Sequence, residues 1–167
     1  FITPSRSELN LLDLVELNNF FTENEIDFVI HAAGTVGGIE ANIKSPVKFL
    51  TENTQIGINL INTCLKFEIK NLLNLASSCM YPRDLPQPLA ESDLLTGNFE
   101  PTNEAYAIAK LSITKLCEYV TLQMDDYSYK TVIPCNLYGK YDNFSYSSSH
   151  LIPSVIRKIS DAIMQDQ

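Results

Sequence analysis

This sequence of 167 residues has no long apolar run, no block of basic residues and no closely paired cysteines. Its apolar runs are interrupted well before bilayer-spanning length, so no transmembrane helix is predicted. The net charge of −8, spread along the chain, argues against nucleic acid as a partner. None of the four cysteines shows a C-x-x-C or other metal-binding spacing, so no metal site is predicted.

The cysteine pattern is typical of an intracellular enzyme, and we expect a cytoplasmic protein with reduced thiols. Cys64, Cys117 and Cys135 are interpreted as buried structural residues. Cys79 follows two serines at the end of an apolar run, so a chemical role stays open for it. No signal peptide is visible, although a first residue that is not Met leads us to expect that the true start is missing.

The length and an apolar fraction of 45% predict one globular domain over residues 1–167, without internal repeats. Short, nearly continuous apolar runs predict strands that are buried on both faces. Apolar residues at helical spacing, together with Asp13 as an N-cap and Pro46 in a first turn, predict helices between them. The predicted strands are the tail Phe1–Pro4, then 27–33, 71–76 and 130–135, and the predicted helices are 13–23, 46–67, 102–124 and 153–164.

Alternation of strands and helices predicts an α/β fold, with a parallel sheet that is covered by helices on both faces. Ligands of such folds lie beyond the carboxyl ends of the strands. The residues that follow the predicted strands include Ala33 and Gly34, then Ser77 and Cys79, and then Asn136. We therefore expect these residues to meet at one edge of the sheet.

Tyr106 and Lys110 are four residues apart in a segment of strong helix formers, which places them on one helix face. An ammonium beside a phenol is expected to lower the phenol pKa. Such a tyrosine can exchange a proton with a substrate oxygen near neutral pH. Taken alone, this pair more often represents two surface residues of a helix, and only the surrounding sequence favours a catalytic role.

That surrounding sequence resembles the extended short-chain dehydrogenase/reductase family of nucleotide-sugar enzymes. The motifs that carry the resemblance run along nearly the whole chain. They are Glu-Leu-Asn-Leu-Leu-Asp at 8–13, Ala-Ala-x-x-Val-Gly-Gly-Ile at 32–39, Ser-Ser-Cys-x-Tyr-Pro at 77–82, Glu-Pro-Thr-Asn-Glu-x-Tyr-Ala-Ile-Ala-Lys at 100–110, Asn-Leu-Tyr-Gly at 136–139, Asp-Asn-Phe at 142–144 and Ser-His-x-Ile-Pro at 149–153. The combination of Ser-Ser-Cys with the later Ser-His is typical of the epimerase-reductases that convert GDP-4-keto-6-deoxy-D-mannose to GDP-L-fucose.

The resemblance implies a Rossmann-like, doubly wound fold and a two-part reaction. Cys79 and His150 would first exchange protons at the carbons flanking the ketone, with Cys79 as the base and His150 as the acid. NADPH would then reduce the ketone while Tyr106 protonates the emerging alkoxide. Lys110 would lower the tyrosine pKa and bind the nicotinamide ribose, and Ser77 would hold the carbonyl oxygen.

The resemblance also implies a set of binding residues. Arg6 would favour NADPH through its 2′-phosphate, although a lone arginine is equally well a solvated surface charge. His31 is interpreted as a satisfied structural histidine, and His150 alone would be a helix cap. The cofactor residues implied are Arg6, Asn10, Leu11, Ala33, Gly34, Tyr106, Lys110, Asn136, Leu137 and His150, and the substrate residues are Asn136, Arg157 and Lys158.

The chain departs from the family in having no Gly-rich turn of the G-x-x-G-x-x-G type, and Lys158 stands where the family tends to have arginine. The resemblance therefore implies an interior fragment, a partial NAD(P)-binding domain without the smaller substrate domain, whose activity requires the complete protein. Two alternatives stay open: another nucleotide-sugar 4-epimerase or dehydratase of the family, and an inert or binding-only fragment. Members pair through two long helices, which implies a homodimer through residues 46–67 and 102–124.

Overall fold

A parallel sheet of three strands forms the centre of the computed structural model, which describes residues 1–146 and 149–165. The strand order is β1-β2-β3, and both neighbouring pairs are parallel. In chain order the elements are α1 (Leu14–Glu23), β1 (Phe28–His31), α2 (Ile39–Lys44), α3 (Pro46–Lys66), β2 (Asn71–Leu75), α4 (Glu104–Gln123), β3 (Ser128–Val132) and α5 (Leu151–Gln165). This is the Rossmann-like architecture that the sequence predicts.

The helices begin close to where the sequence places their caps. Asp13 caps α1 through its carboxylate, which accepts hydrogen bonds from the backbone N–H groups of Val15 and Glu16. Pro46 occupies the first turn of α3, where its missing N–H costs no hydrogen bond. The predicted helices 46–67 and 102–124 are confirmed as α3 and α4 within two residues at each end.

One face of the sheet carries the core. Leu72 and Asn74 of β2 and Tyr129 of β3 point to this face and are buried. The main core cluster adds apolar side chains of α1, α3 and α4 to Leu72 and Tyr129. The helices α3 and α4 approach so closely that a Cβ atom at Gly57 would lie 2.4 Å from Ile113 Cγ1.

Four local predictions are wrong. Residues 1–4 form no strand, and Phe1 is fully exposed. The strand β1 is not buried on both faces, because Phe28 and Ile30 are 52% and 48% exposed. On these three strands, helices cover one face, because the consecutive order β1-β2-β3 puts both crossover helices on the same side. The strand predicted at 130–135 is β3 at Ser128–Val132, which leaves Cys135 exposed beyond it.

Two segments contain more structure than was predicted. The glycine-rich loop after β1 contains the short helix α2, and the long loop after β2 contains two 3₁₀ helices, Ser78–Met80 and Glu91–Asp93. Within the described residues, no helix is both long enough and apolar enough to cross a membrane.

Candidate active site

The helix α4 brings Tyr106 and Lys110 together, as their spacing predicts. The Lys110 Nζ lies 5.8 Å from the centroid of the Tyr106 ring and donates a hydrogen bond of 3.0 Å to the Leu75 carbonyl. Lys110 is 7% exposed, and its ammonium therefore lies at the carboxyl end of β2 rather than in solvent. The Tyr106 ring packs edge-on against Phe49 of α3, with ring centroids 6.4 Å apart.

The electrostatics of this pair differ from the sequence prediction. Burial and, to a smaller extent, the nearby Cys79 raise the pKa of Tyr106 to about 12. Burial also lowers the pKa of Lys110, although Cys79 opposes that shift. The expected lowering of the Tyr106 pKa is wrong, because removing the phenol from water disfavours its charged form. At neutral pH the Tyr106 phenol is protonated and suited to donate a proton.

A short 3₁₀ turn places Ser77 and Cys79 beside this pair. Ser77 follows β2 and caps the turn by accepting a hydrogen bond of 3.5 Å from the Cys79 backbone N–H. Met80 anchors the turn on α4: its side chain is fully buried, and its sulfur accepts a hydrogen bond of 3.6 Å from the Thr114 hydroxyl. Thr114 is one helical turn beyond Lys110, so the turn and the lysine share one support.

Cys79 is electrostatically linked to the other members of the cluster. Burial raises the pKa of its thiol, while a hydrogen bond with Ser77 and the charge of Lys110 lower it. Burial is the largest of these effects, so the thiol predominates over the thiolate near neutral pH. A hydroxyl, a thiol, a phenol and an ammonium thus form one cluster, which we call the Tyr106 cluster: Ser77, Cys79, Tyr106 and Lys110.

The loop after β1 is fixed next to the cluster by Asn53 of α3, a residue that the sequence analysis missed. Asn53 is buried; its Oδ1 accepts a hydrogen bond of 2.8 Å from Thr35 N, and its Nδ2 donates to Thr35 O at 3.0 Å. The Thr35 hydroxyl also donates to Glu52 at 2.6 Å. A Cβ atom at Gly34 would lie 2.9 Å from Asn53 Oδ1 and 3.7 Å from Lys110 Nζ. Gly34 therefore lies close to Lys110, as the sheet-edge argument predicts.

A cleft of about 900 Å³ runs along β1 and ends at this loop. Its walls include all five residues that were predicted to contact the adenosine half of the cofactor: Arg6, Asn10, Leu11, Ala33 and Gly34. The part of the cleft wall that precedes β1 in the chain is attached to α3 by a hydrogen bond of 2.9 Å, which the Asn59 side chain donates to the Leu11 carbonyl. The cleft therefore offers apolar walls, an exposed guanidinium and a glycine close to Lys110.

The remaining predicted residues lie on the loop after β3 and on α5, and they are exposed. They are Asn136, Leu137, His150, Arg157 and Lys158. Arg157 donates a hydrogen bond of 2.8 Å to Asp161 and lies 5.2 Å from the Tyr146 ring centroid. Within residues 1–146 and 149–165, no hydrogen bond or ion pair joins these five residues to the Tyr106 cluster. The pairing of Cys79 with His150 stays a prediction.

Comparisons with known proteins agree with this geometry. The profile of the "NAD dependent epimerase/dehydratase family" matches residues 3–164. The chain is 54% identical to a GDP-L-colitose synthase of Yersinia pseudotuberculosis over 98% of its length, and 46% identical to a GDP-L-fucose synthase of Escherichia coli over 99%. It spans about half the length of these relatives, 53% and 51%.

Solved structures show the same similarity. A crystal structure of a GDP-L-fucose synthetase from Naegleria fowleri bound to NADP superposes with a TM-score of 0.91 at 26% identity, covering 99% of this chain and 54% of that one. The NADP-bound GDP-mannoheptose C4 reductase of Campylobacter jejuni superposes with a TM-score of 0.85 at 29% identity, covering 94% of this chain and 46% of that one.

Proposed function

The chain belongs to the NAD dependent epimerase/dehydratase family, and from that premise we propose that it carries the catalytic cluster of a GDP-L-fucose synthase. The complete enzyme would epimerise GDP-4-keto-6-deoxy-D-mannose at two carbons and reduce its ketone with NADPH. The observation that supports this most is the Tyr106 cluster, in which a protonated phenol and a thiol lie next to one buried ammonium. A ketone reductase needs the phenol, and an epimerase acting beside the ketone needs the thiol.

The cleft along β1 has the properties that NADPH requires. Its apolar walls fit an adenine ring, and Arg6 offers the guanidinium that a 2′-phosphate requires. Gly34, at the end of the cleft, leaves room near Lys110. When bound, NADPH supplies the hydride for the ketone carbon. Arg6, Asn10, Leu11, Ala33 and Gly34 would hold its adenosine half, and Tyr106, Lys110, Asn136, Leu137 and His150 its nicotinamide half.

The residues of the cluster divide the proton chemistry. Ser77 would donate a hydrogen bond to the ketone oxygen, and Tyr106 would give its proton to that oxygen as negative charge develops there. The high pKa of Tyr106, about 12, suits this acid role because the alkoxide is a stronger base than the phenolate. Cys79 and His150 would exchange protons at the flanking carbons, while Asn136, Arg157 and Lys158 would hold the sugar and its diphosphate.

The direct test uses the complete protein. We expect incubation with NADPH and GDP-4-keto-6-deoxy-D-mannose to consume NADPH and to yield GDP-L-fucose. The consumption of NADPH is measured from the nicotinamide absorbance. Heat-denatured protein serves as the control. A correctly folded sample that oxidises no NADPH would contradict the proposed reductase, and a sample that converts UDP-glucose to UDP-galactose instead would favour a 4-epimerase.

A second candidate is a colitose synthase, which the 54% identity to the Yersinia relative favours. Colitose is the 3-deoxy counterpart of fucose, so its ketone precursor lacks one hydroxyl next to the reacting carbon. The same assay with the 3-deoxy substrate separates the two candidates. Faster NADPH oxidation with the 3-deoxy sugar, compared at equal substrate concentration, would assign the chain to colitose.

We also propose that the complete protein is a homodimer through α3 and α4. Both helices present apolar side chains to solvent in this chain, which is unfavourable unless a partner covers them. The exposed apolar residues of the two helices include Val47, Ile58, Ile108, Tyr119 and Leu122. We expect sedimentation equilibrium of the complete protein to give twice the monomer mass, and Leu122→Glu to reduce it. A monomeric mass for the unaltered protein would contradict this arrangement.

A further inference from the structure

Two buried polar atoms behind the Tyr106 cluster have no hydrogen-bond partner among the residues that the structure describes. They are Nδ1 of His31 and Oδ1 of Asn74, on side chains of residues that are 3% and 0% exposed. The interpretation of His31 as a satisfied structural histidine is therefore wrong, although its burial is confirmed. An unpaired buried polar atom destabilises a fold, so two at one place require an explanation.

The two atoms belong to neighbouring residues. His31 and Asn74 are aligned in the register of β1 and β2, on strands that are about 4.8 Å apart. Aligned residues of a parallel pair point to the same face, here the face that the helices cover. The amide nitrogen of Asn74 is already engaged, donating a hydrogen bond of 3.2 Å to the Thr131 hydroxyl. Only its oxygen is left, and it faces the same interior as the imidazole.

Lys110 supplies a donor at the carboxyl end of β2, one residue beyond Asn74. Its Nζ donates to the carbonyl of Leu75, the residue that follows Asn74. An ammonium carries three N–H donors, and this is the hydrogen bond that the described residues give it. Burial lowers the pKa of His31 to about 4, and the charge of Lys110 contributes a smaller part of this shift. The imidazole is therefore neutral, and its Nδ1 can accept a hydrogen bond when Nε2 carries the proton.

We propose that His31 and Asn74 hold one buried water molecule behind Lys110, and that His31 is thereby a positioning residue for the lysine. The water donates its two protons to His31 Nδ1 and Asn74 Oδ1 and accepts a hydrogen bond from Lys110 Nζ. Three hydrogen bonds are the usual number for a buried water. This fixes the ammonium from two sides, the Leu75 carbonyl and the water, while it faces Tyr106.

The consequence for catalysis rests on the proposed function. A lysine held on one side only would spend less time beside the phenol and the nicotinamide ribose. We therefore expect His31→Leu, in the complete protein, to lower kcat for NADPH oxidation about tenfold, the effect of one lost hydrogen bond, with little change in KM for the GDP-sugar. His31→Asn should retain most of the activity, because the asparagine Oδ1 can accept the hydrogen bond that the imidazole Nδ1 accepted. Asparagine and leucine are similar in size, so the two variants differ mainly in this acceptor.

Thr63→Val provides the matched control. Thr63 is also buried, and its hydroxyl has no partner among the described residues. It lies on α3 ten residues beyond Asn53, the α3 residue next to the Tyr106 cluster, which corresponds to about 15 Å along the helix. It should leave kcat unchanged. Equal kcat values for His31→Leu and His31→Asn would overturn the proposal, because the imidazole would then act only through its volume.

A measurement without turnover separates this inference from the proposed function. Nitrogen-15 NMR of the unaltered complete protein reports the tautomer of His31. We expect the Nε2–H form, with Nδ1 as an acceptor. The Nδ1–H form would overturn the proposal, since a protonated Nδ1 has no lone pair with which to accept a proton from the water. The Nε2–H form in a protein that oxidises no NADPH would contradict only the proposed function.

Discussion

Replacing Tyr106 by Phe should lower the rate of ketone reduction by about 10²- to 10⁴-fold, the usual contribution of a positioned general acid. The phenol is the protonated acid of the cluster, because burial raises its pKa to about 12. Phe keeps the ring that packs edge-on against Phe49, so the substitution removes the proton and little else. Stopped-flow measurement of NADPH oxidation on the complete protein checks this expectation.

The same helix offers a matched control. Tyr119 is 56% exposed and lies on α4, outside the cluster, so Tyr119→Phe should leave the rate unchanged. Binding of the GDP-sugar should be similar in both variants, because the phenol acts on charge that develops only during the reaction. A Tyr106→Phe variant with full activity, or equal losses in both variants, would remove Tyr106 from the proposed mechanism.

The parts of the site that follow from local spacing could be predicted from the sequence. Tyr106 and Lys110 share a face because a helix repeats every 3.6 residues, and that helix could be recognised from its formers. Gly34 lies near Lys110, and Ser77 follows β2 at the same edge of the sheet, because parallel strands end at one edge. These inferences need only the periodicity of the elements and the direction of the strands.

The parts that depend on packing between distant segments could not be predicted. In the sequence, Asn53 is only a polar residue within a predicted helix. The fold shows that its side-chain amide forms two hydrogen bonds with the backbone of Thr35. The pKa of Tyr106 likewise depends on how much of the ring the fold buries, which the spacing to Lys110 does not report. The sequence did contain one signal for Asn53. It lies four residues after Phe49 and three before Ile56, so its amide is on the same helix face as these apolar residues.

Burial patterns explain the wrong strand predictions. An apolar run suggests a strand covered on both faces, but Phe28 and Ile30 face outward on a sheet whose helices lie on one side. The third strand begins at Ser128, before its apolar run, because the Tyr129 side chain is buried and its hydroxyl donates a hydrogen bond of 2.8 Å to the Ile69 carbonyl. Composition alone could not show that a tyrosine belongs to the core.

Replacing Cys79 by Ala should slow proton exchange at the carbons flanking the ketone by about 10²- to 10⁴-fold. Solvent deuterium incorporation into the GDP-sugar, measured by NMR without NADPH, reports this step separately from reduction. The substitution should preserve the fold, because Ser77 contacts the Cys79 backbone and Met80 anchors the turn. Cys135→Ala, at an exposed cysteine beyond β3, is the matched control and should exchange at the unaltered rate.

The direction of the pH dependence distinguishes the two roles that Cys79 can have. Burial raises the thiol pKa above its ordinary value, so the thiolate is the minor form near neutral pH. If Cys79 is the base, exchange should become faster as the pH rises toward the thiol pKa, because only the thiolate accepts a carbon-bound proton. Exchange that slows over this range would make Cys79 the acid and His150 the base, and exchange that survives Cys79→Ala would exclude the thiol from the reaction.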